Sequence, residues 1–379
     1  MEPLRIGIIG VGWPGQRHIE AYQKHPRADK VALSDVNVEA AERVKVDYSV
    51  TGARVCADYQ ELLAADDVDA VSICTLNFLH ATMAIDALQA GKHVLLEKPL
   101  AHTLADGERV ADEVARHPDL GFMIAFNNRY GPDSIVLKQH IDAGELGRIY
   151  YAKTGWLRGA SGFFLSGWFT QRDRSGRGPL IDLGVHMLDL TLWLMGNPRP
   201  VSVSGSVYHE FNDVMHQSTG TDVDVEDLAS AFVKLDNSAT VLLDVSWLSH
   251  IEESDLIYTQ LFGSGGGATI RRGPDEDFRI VSASGRGTTR TTVVSTPKLP
   301  AWDASEPGYQ LYASFRAEIA DFVDSVQEGR QPGATITHGL DILRVLDGIY
   351  RSAETGRETV LVDAVDEDHI ESGDVLAPT

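Results

Sequence analysis

The feature that most restricts this chain is the alternation of short apolar runs with helical stretches over its first 126 residues. Leu4–Ile9 and residues 30–35, 70–74, 93–96 and 121–126 are apolar-rich runs of strand length, mostly Val, Ile, Leu and Ala. Residues 14–25, 38–46, 79–90 and Leu104–Arg116 carry helical patterns between them. Strands that read as continuous apolar runs must be covered on both faces, and strands separated by helices pair in parallel. The segment therefore predicts a doubly wound parallel sheet.

Beyond residue 126 the texture changes. A helix over 133–143 leads into strands over 147–157, Pro200–Tyr208, Leu228–Leu235, 239–246 and 256–262, many of them alternating. Such runs predict a large, mostly antiparallel sheet with one solvated or partner-facing side. Helical patterns over 309–327 and 338–353 follow, the second stopped by Gly356. The expectation is an α/β chain of two domains, residues 1–126 and 127–379, for which 379 residues at 43% hydrophobic content suffice. With 33 basic against 55 acidic residues, the net charge of −22 argues against nucleic-acid and anionic-membrane partners. Two cysteines, Cys56 and Cys74, cannot make a disulfide framework, and no apolar run approaches the ~20 residues of a membrane span. A reducing cytoplasm is the expected compartment. The acid-rich stretch 363–374 is expected to be a solvated end.

Gly10-Val11-Gly12-Trp13-Pro14-Gly15 fits G-x-G-x-x-G, directly after the first strand and opening the first helix. In that setting Gly10 permits a tight turn, Gly12 the approach of a pyrophosphate, and Gly15 close helix-to-strand packing. Pro14 sits where a missing N–H costs little, and the helix N-terminus offers free N–H groups to phosphates. Asp35 closes the second strand 20 residues after Gly15, where a carboxylate would bind the ribose hydroxyls and oppose a 2′-phosphate, which selects NAD over NADP. A second glycine-rich run, residues 263–267, lacks the Lys of a phosphate loop and precedes a β-branched stretch, so it predicts a hairpin.

Two further segments carry polar groups where chemistry would need them. Glu97-Lys98-Pro99 follows the strand at 93–96, placing Lys98 at a carboxyl end, where ligands sit in open α/β sheets. Asp182, His186 and Asp189 punctuate an apolar helical run at spacings that predict one shared face. The same spacing could serve a metal, but no third strong ligand is identifiable, and none is expected.

Together these motifs resemble the glucose-fructose oxidoreductase, inositol dehydrogenase and MocA-like family, over nearly the whole chain and including Gly348 to Ala353 ahead of Gly356. The resemblance implies an N-terminal Rossmann domain, a C-terminal domain whose open sheet often serves oligomerisation, and NAD(P)-dependent oxidation or reduction of a sugar or cyclitol. It implies Lys98, Asp182 and His186 as the catalytic set, with Thr75, Asn77, His80 and Glu97 beside the cofactor. Leu76 stands where relatives usually have Pro, and Arg177 interrupts a stretch that is usually glycine-rich.

Oxidising a secondary alcohol needs a base for the hydroxyl proton while a hydride leaves the same carbon. His186, at an ordinary pKa of ~6.5, suits that role better than Lys98 at ~10.4, leaving Lys98 to stabilise alkoxide charge and Asp182 to bind a hydroxyl or orient His186. Arg172, Arg174 and Arg177 form a basic run in an acidic protein. With Arg158 they are candidates to bind an anionic or hydroxyl-dense substrate group. Trp168, with Trp156, Phe163, Phe164 and Phe169, could stack on a sugar or fill a core. The expected activity is an NAD-dependent sugar or cyclitol dehydrogenase acting as a homo-oligomer, a dimer or tetramer. A redox-neutral NAD-dependent glycoside hydrolase and a non-catalytic NAD sensor are the alternatives.

Overall fold

The structure, a computed structural model, describes residues 2–159, 167–272, 277–283, 289–293 and 309–361. Phe163, Phe164 and the acidic stretch 363–374 lie outside the described residues.

Six parallel strands form the first sheet: β1 (Leu4–Ile9), β2 (Ala28–Ser34), β3 (Arg54–Cys56), β4 (Ala70–Ile73), β5 (His93–Glu97) and β6 (Phe122–Ala125), in the order β3-β2-β1-β4-β5-β6. Helices α1 (Trp13–Lys24), α2 (Val38–Asp47), α3 (Tyr59–Leu63), α4 (Asn77–Gln89) and α5 (Leu104–Arg116) connect them. Ile6, Ile8, Val71, Ile73, Val94 and Leu96 are fully buried, as strands covered on both faces must be. The strand order reverses between β1 and β4, so their carboxyl ends splay and leave a crevice. The short β3 and α3 had no clear signal, because three and five residues are too few to show a period.

Residues beyond 126 give α6 (Pro132–Asp142), β7 (Ile149–Gly159), α7 (Arg172–Ser175), α8 (Val185–Leu194), β8 (Pro200–Tyr208), α9 (Asn212–Thr219), β9 (Leu228–Leu235), β10 (Thr240–Ser249), β11 (Asp255–Gly263), β12 (Gly266–Arg272), β13 (Asp277–Ala283), β14 (Thr289–Val293), α10 (Tyr309–Glu328), α11 (Ile336–Thr355) and β15 (Thr359–Val360). Nine strands pair in the order β14-β13-β12-β11-β7-β10-β9-β8-β15. All pairs are antiparallel except β7 with β10. The glycine-rich run is the β11–β12 turn. No described helix is long and apolar enough to cross a membrane.

Two features position the site. A π-helical turn, Leu180–Gly184, precedes α8. Helices α10 and α11 return to the first sheet: Phe315 meets Trp13 edge-on at 5.8 Å, and the Ile124 N–H donates to the Ala334 carbonyl at 3.0 Å.

Candidate active site

The cofactor end is built by backbone geometry. Gly10 has φ +90°, and a Cβ on it would lie 2.4 Å from the Cys74 carbonyl oxygen; one on Gly15 would lie 2.1 Å from that of Gly10. Neither position can carry a side chain without moving the β1–α1 turn. Gly12 is different, because a Cβ there would meet only Pro14 Cδ, at 3.9 Å. That open face lies at the start of α1, whose first N–H groups have no intrahelical partner. Asp35 accepts hydrogen bonds from the Val11 N–H at 3.0 Å and the Asn37 N–H at 2.8 Å, which fixes its carboxylate beside the turn. Gly10, Gly12, Trp13, Pro14 and Asp35 line one end of a cavity of about 760 Å³. A dinucleotide fits this end: an unobstructed helix N-terminus for its pyrophosphate and an anchored carboxylate for a ribose.

The same cavity continues past Thr75, Asn77 and Glu97 to Lys98, Asp182 and His186. Lys98 Nζ donates to Asp182 Oδ1 at 3.1 Å and to the Asp182 carbonyl at 3.2 Å. The other Asp182 oxygen accepts from Trp247 Nε1 at 3.0 Å, with Arg158 at 3.9 Å. Burial works against the Asp182 carboxylate, but Lys98, Arg158 and Trp247 outweigh it and hold its pKa below the usual range. Asp182 is thus hydrogen-bonded to Lys98. His186 Nδ1 is buried without a hydrogen-bond partner, and its ring lies 6.2 Å from that of Trp156. Burial, with Lys98 adding to it against the pull of Asp182, drives the His186 pKa down to about 3. The expectation of an ordinary histidine poised near neutrality does not hold, because desolvation penalises the imidazolium.

Behind this end, Glu97 Oε1 meets His18 Nε2 at 3.1 Å, and its Oε2 accepts the Lys98 N–H at 3.1 Å. Asn77 Nδ2 donates to the Ser175 carbonyl at 2.8 Å, tying α4 to the turn before Asp182. Leu76 has φ −77°, a value proline also adopts, so the departure from the usual residue leaves the backbone path open.

Several expected neighbours lie elsewhere. His80 is buried between the Pro99 and Thr75 carbonyls, at 2.7 and 3.2 Å, and is not among the residues lining the cavity. Gly15 does not line the cavity but packs closely beneath the β1–α1 turn, the helix-to-strand contact expected of it. Asp189 does not join the cavity: its carboxylate is buried and held by Arg129 at 2.7 and 2.5 Å. Arg172 and Arg174 are exposed, and Arg172 lines a separate cavity, whereas Arg158, Arg177, Trp168 and Phe169 line the main one. Trp168 and Phe169 stack with centroids 4.0 Å apart.

Sequence reasoning missed Asn127, Asn128, Trp247 and Phe315. Asn127 and Asn128 follow β6 at its carboxyl end and line the cavity, with Asn127 Oδ1 and Asn128 Nδ2 buried and unpartnered. The carboxyl-end rule that found Lys98 would have found them too. Trp247 and Phe315 carry no such signal.

The sequence profile described as an oxidoreductase family with an NAD-binding Rossmann fold matches residues 4–126, and that of the GFO/IDH/MocA C-terminal domain matches residues 135–269. The chain belongs to the GFO/IDH/MocA oxidoreductase family. This family member is 28% identical to the D-glucoside 3-dehydrogenase of Escherichia coli (strain K12), across 95% of its own length and 98% of the relative's. It is 26% identical to the levoglucosan dehydrogenase of Pseudarthrobacter phenanthrenivorans (strain DSM 18606 / JCM 16027 / LMG 23796 / Sphe3), across 93% and 97%. A levoglucosan dehydrogenase structure in complex with NADH and L-sorbose superposes with a TM-score of 0.82 at 25% identity, covering 96% of this oxidoreductase and all of that chain.

Proposed function

We propose that the protein is an NAD-dependent dehydrogenase acting on a secondary hydroxyl of a sugar or cyclitol, with Lys98, Asp182 and His186 as its catalytic set. The observation that carries this reading is that these three side chains meet at one end of the cavity whose other end is the dinucleotide cradle. When bound, NAD supplies the hydride acceptor. Lys98, oriented by Asp182, donates to the substrate oxygen and stabilises the charge that grows on it. His186, neutral across the physiological range, accepts the hydroxyl hydrogen at the ring nitrogen that faces the cavity. Arg158, Arg177, Trp168 and Phe169 supply the donors and flat faces that a ring bearing several hydroxyls requires. The two named relatives act on a glucoside and on levoglucosan, which supports this substrate class.

The test is NADH formation with cyclitols, aldoses, anhydrosugars and uronic acids. Net NADH with at least one of them is expected. Glycoside cleavage without net NADH would instead favour the redox-neutral hydrolase, and NAD binding with no chemistry the sensor.

A homo-oligomer, dimer or tetramer, forms part of this proposal. One face of the nine-stranded sheet sets Leu242 beside Phe232 and Tyr151 beside Phe262 across strand pairs, and Phe232 and Phe262 are each more than a third exposed. Apolar cross-strand pairs left in water suit a second copy of the same sheet. Light scattering should give at least twice the monomer mass; a monomer at micromolar concentration counts against it.

A further inference from the structure

The turn that carries Asp182 is gripped from outside the main cavity. Glu226, two residues before β9, is buried and does not line that cavity. Its Oε1 accepts the Leu180 N–H at 3.2 Å and the hydroxyl of Tyr350, on α11, at 2.8 Å. Leu180 opens the π-helical turn, where a backbone N–H has no partner within the helix and, once buried, needs an acceptor from elsewhere. Gly178 lies flush on the same residue, since a Cβ there would sit 2.0 Å from the Glu226 carbonyl oxygen. The Gly178 carbonyl in turn accepts the Asp182 N–H at 3.2 Å. Glu226 therefore fixes the chain four and two residues ahead of Asp182, through its backbone and its carboxyl group.

The grip bears on chemistry because of the kind of turn it holds. The Val185 N–H reaches back five residues to the Leu180 carbonyl, a wide pattern that proteins seldom keep and that tends to occur at functional sites. If the turn tightened to the α-helix that follows, Asp182 would rotate about the axis relative to His186. Lys98 Nζ would move with it, because the ammonium is bonded to the Asp182 carboxylate at 3.1 Å and to the Asp182 carbonyl at 3.2 Å. Burial raises the Glu226 carboxyl pKa even against the donors around it, so an ionised group at this depth costs stability. Fold stability alone gives no reason for a carboxylate here, whereas the position of Asp182 does.

Resting on the dehydrogenase reading above, we propose that Glu226 is a positioning residue for the hydride transfer: it sets the π-helical turn so that Asp182 presents Lys98 to the substrate oxygen. Tyr350 steadies the carboxyl group. Arg177, which lines the main cavity and lies 4.3 Å over the Tyr350 ring, ties this assembly to the cavity wall. The influence of Glu226 on the reaction passes through Asp182 and Lys98.

The experiment is a double-mutant cycle with Glu226→Leu, Lys98→Met and the two combined, assayed with NAD and an accepted sugar. In the wild-type background Glu226→Leu should lower kcat by about 10-fold or more, the scale of one good buried hydrogen bond, and change the sugar KM and NAD affinity by less than about 3-fold. In the Lys98→Met background the same substitution should cost less than about 2-fold, because the group it positions is gone. A loss of equal factor in both backgrounds, or none in the wild type, overturns the proposal and leaves the dehydrogenase reading standing. Should Glu226→Leu fail to fold, Tyr350→Phe removes one of the two donors on the carboxyl group and repeats the cycle, with a loss of about 3-fold or more expected in the wild-type background alone. Hydrogen exchange supplies a readout that needs no turnover. The amides of residues 180–184 should exchange about 10-fold faster or more in the variant, with those of the first sheet unchanged. Unchanged exchange at 180–184 overturns the grip itself. No NADH from any sugar removes the reading on which the proposal rests, and exchange then judges the grip on the turn by itself.

Discussion

A histidine in water titrates near ~6.5, whereas His186, surrounded by protein and beside Lys98, titrates at about 3. If its neutral imidazole accepts the substrate proton, kcat/KM should show no acid limb of its making between pH 8 and pH 5. An ordinary histidine would halve the rate near ~6.5. The pH profile of kcat/KM for the wild type and for His186→Ala decides this: a limb near pH ~6.5 that disappears in the variant would show that the imidazole keeps its usual affinity in the enzyme before substrate binds, and would overturn the neutral-base assignment. Lys98→Met should lower kcat by about 100-fold or more, the scale of a positioned acid or base, and change NAD affinity far less. Near-normal turnover would remove Lys98 from the chemistry. At the other end of the cavity, Asp35 is proposed to set its negative charge against the 2′-phosphate of NADP. The wild type should prefer NAD, and Asp35→Ala should narrow the kcat/KM ratio of NAD to NADP by about 10-fold or more, a change of ~1.4 kcal/mol. A ratio unchanged by the substitution would mean that the carboxylate serves only the Val11 and Asn37 amides.

At the scale of elements, the short turn after β6 and helix α8 are joined by the buried Arg129–Asp189 pair, both hydrogen bonds at 2.7 Å or less. Arg129 also donates to the Gly333 carbonyl at 2.7 Å, so three chain segments meet on one guanidinium. Burial lifts the Asp189 pKa to about 6 even against Arg129, which leaves the carboxylate ionised at neutral pH. Arg129→Met strands that charge and should cost ~3 to 5 kcal/mol of stability, read from urea midpoints at pH 7. A loss under ~1 kcal/mol would show that the segments hold without it. The example also explains why a spacing rule overreached. Asp182, His186 and Asp189 do follow one another at helical intervals, but the interval says nothing about depth, and an unseen arginine claimed the third of them.

The whole molecule closes on itself through α10 and α11, which come from the far end of the chain and cover the first sheet. Glu318 of α10 is fully buried, and both its carboxyl oxygens lack a partner. Burial, reinforced by Glu97, Asp189 and Asp321, raises its pKa well above the ordinary carboxylate range. A group whose folded pKa is raised stabilises fully below its unfolded pKa of ~4.5, and that stability is lost as pH rises toward the folded value. Each unit of separation is worth ~1.4 kcal/mol. Glu318→Gln keeps the shape and removes the proton linkage, so it should raise the melting temperature, and by more at pH 8 than at pH 5. An equal effect at both pH values would place the ionised form in the folded protein.

Local pattern carried much of this molecule. Continuous apolar runs, a glycine motif between strand and helix, and a carboxylate closing the second strand each express short-range physics, namely periodicity, backbone sterics and the carboxyl-end crevice, and each is visible within about 35 residues. Lys98 was legible on the same ground. What could not be read was long-range or dielectric in origin. Trp247 and Phe315 reach the site from β10 and α10, 65 and more residues from the groups they touch, and no period points at a partner that distant. The role of Asp182 turned on which side chain stood within 3.1 Å, and the basicity of His186 on how much water surrounded it. Arg172 and Arg177 stand five residues apart in sequence yet only Arg177 lines the catalytic cavity, because the chain turns between them at Gly176, φ +89°. Contact and solvation belong to the packed chain, and they exist only once distant segments have excluded water together.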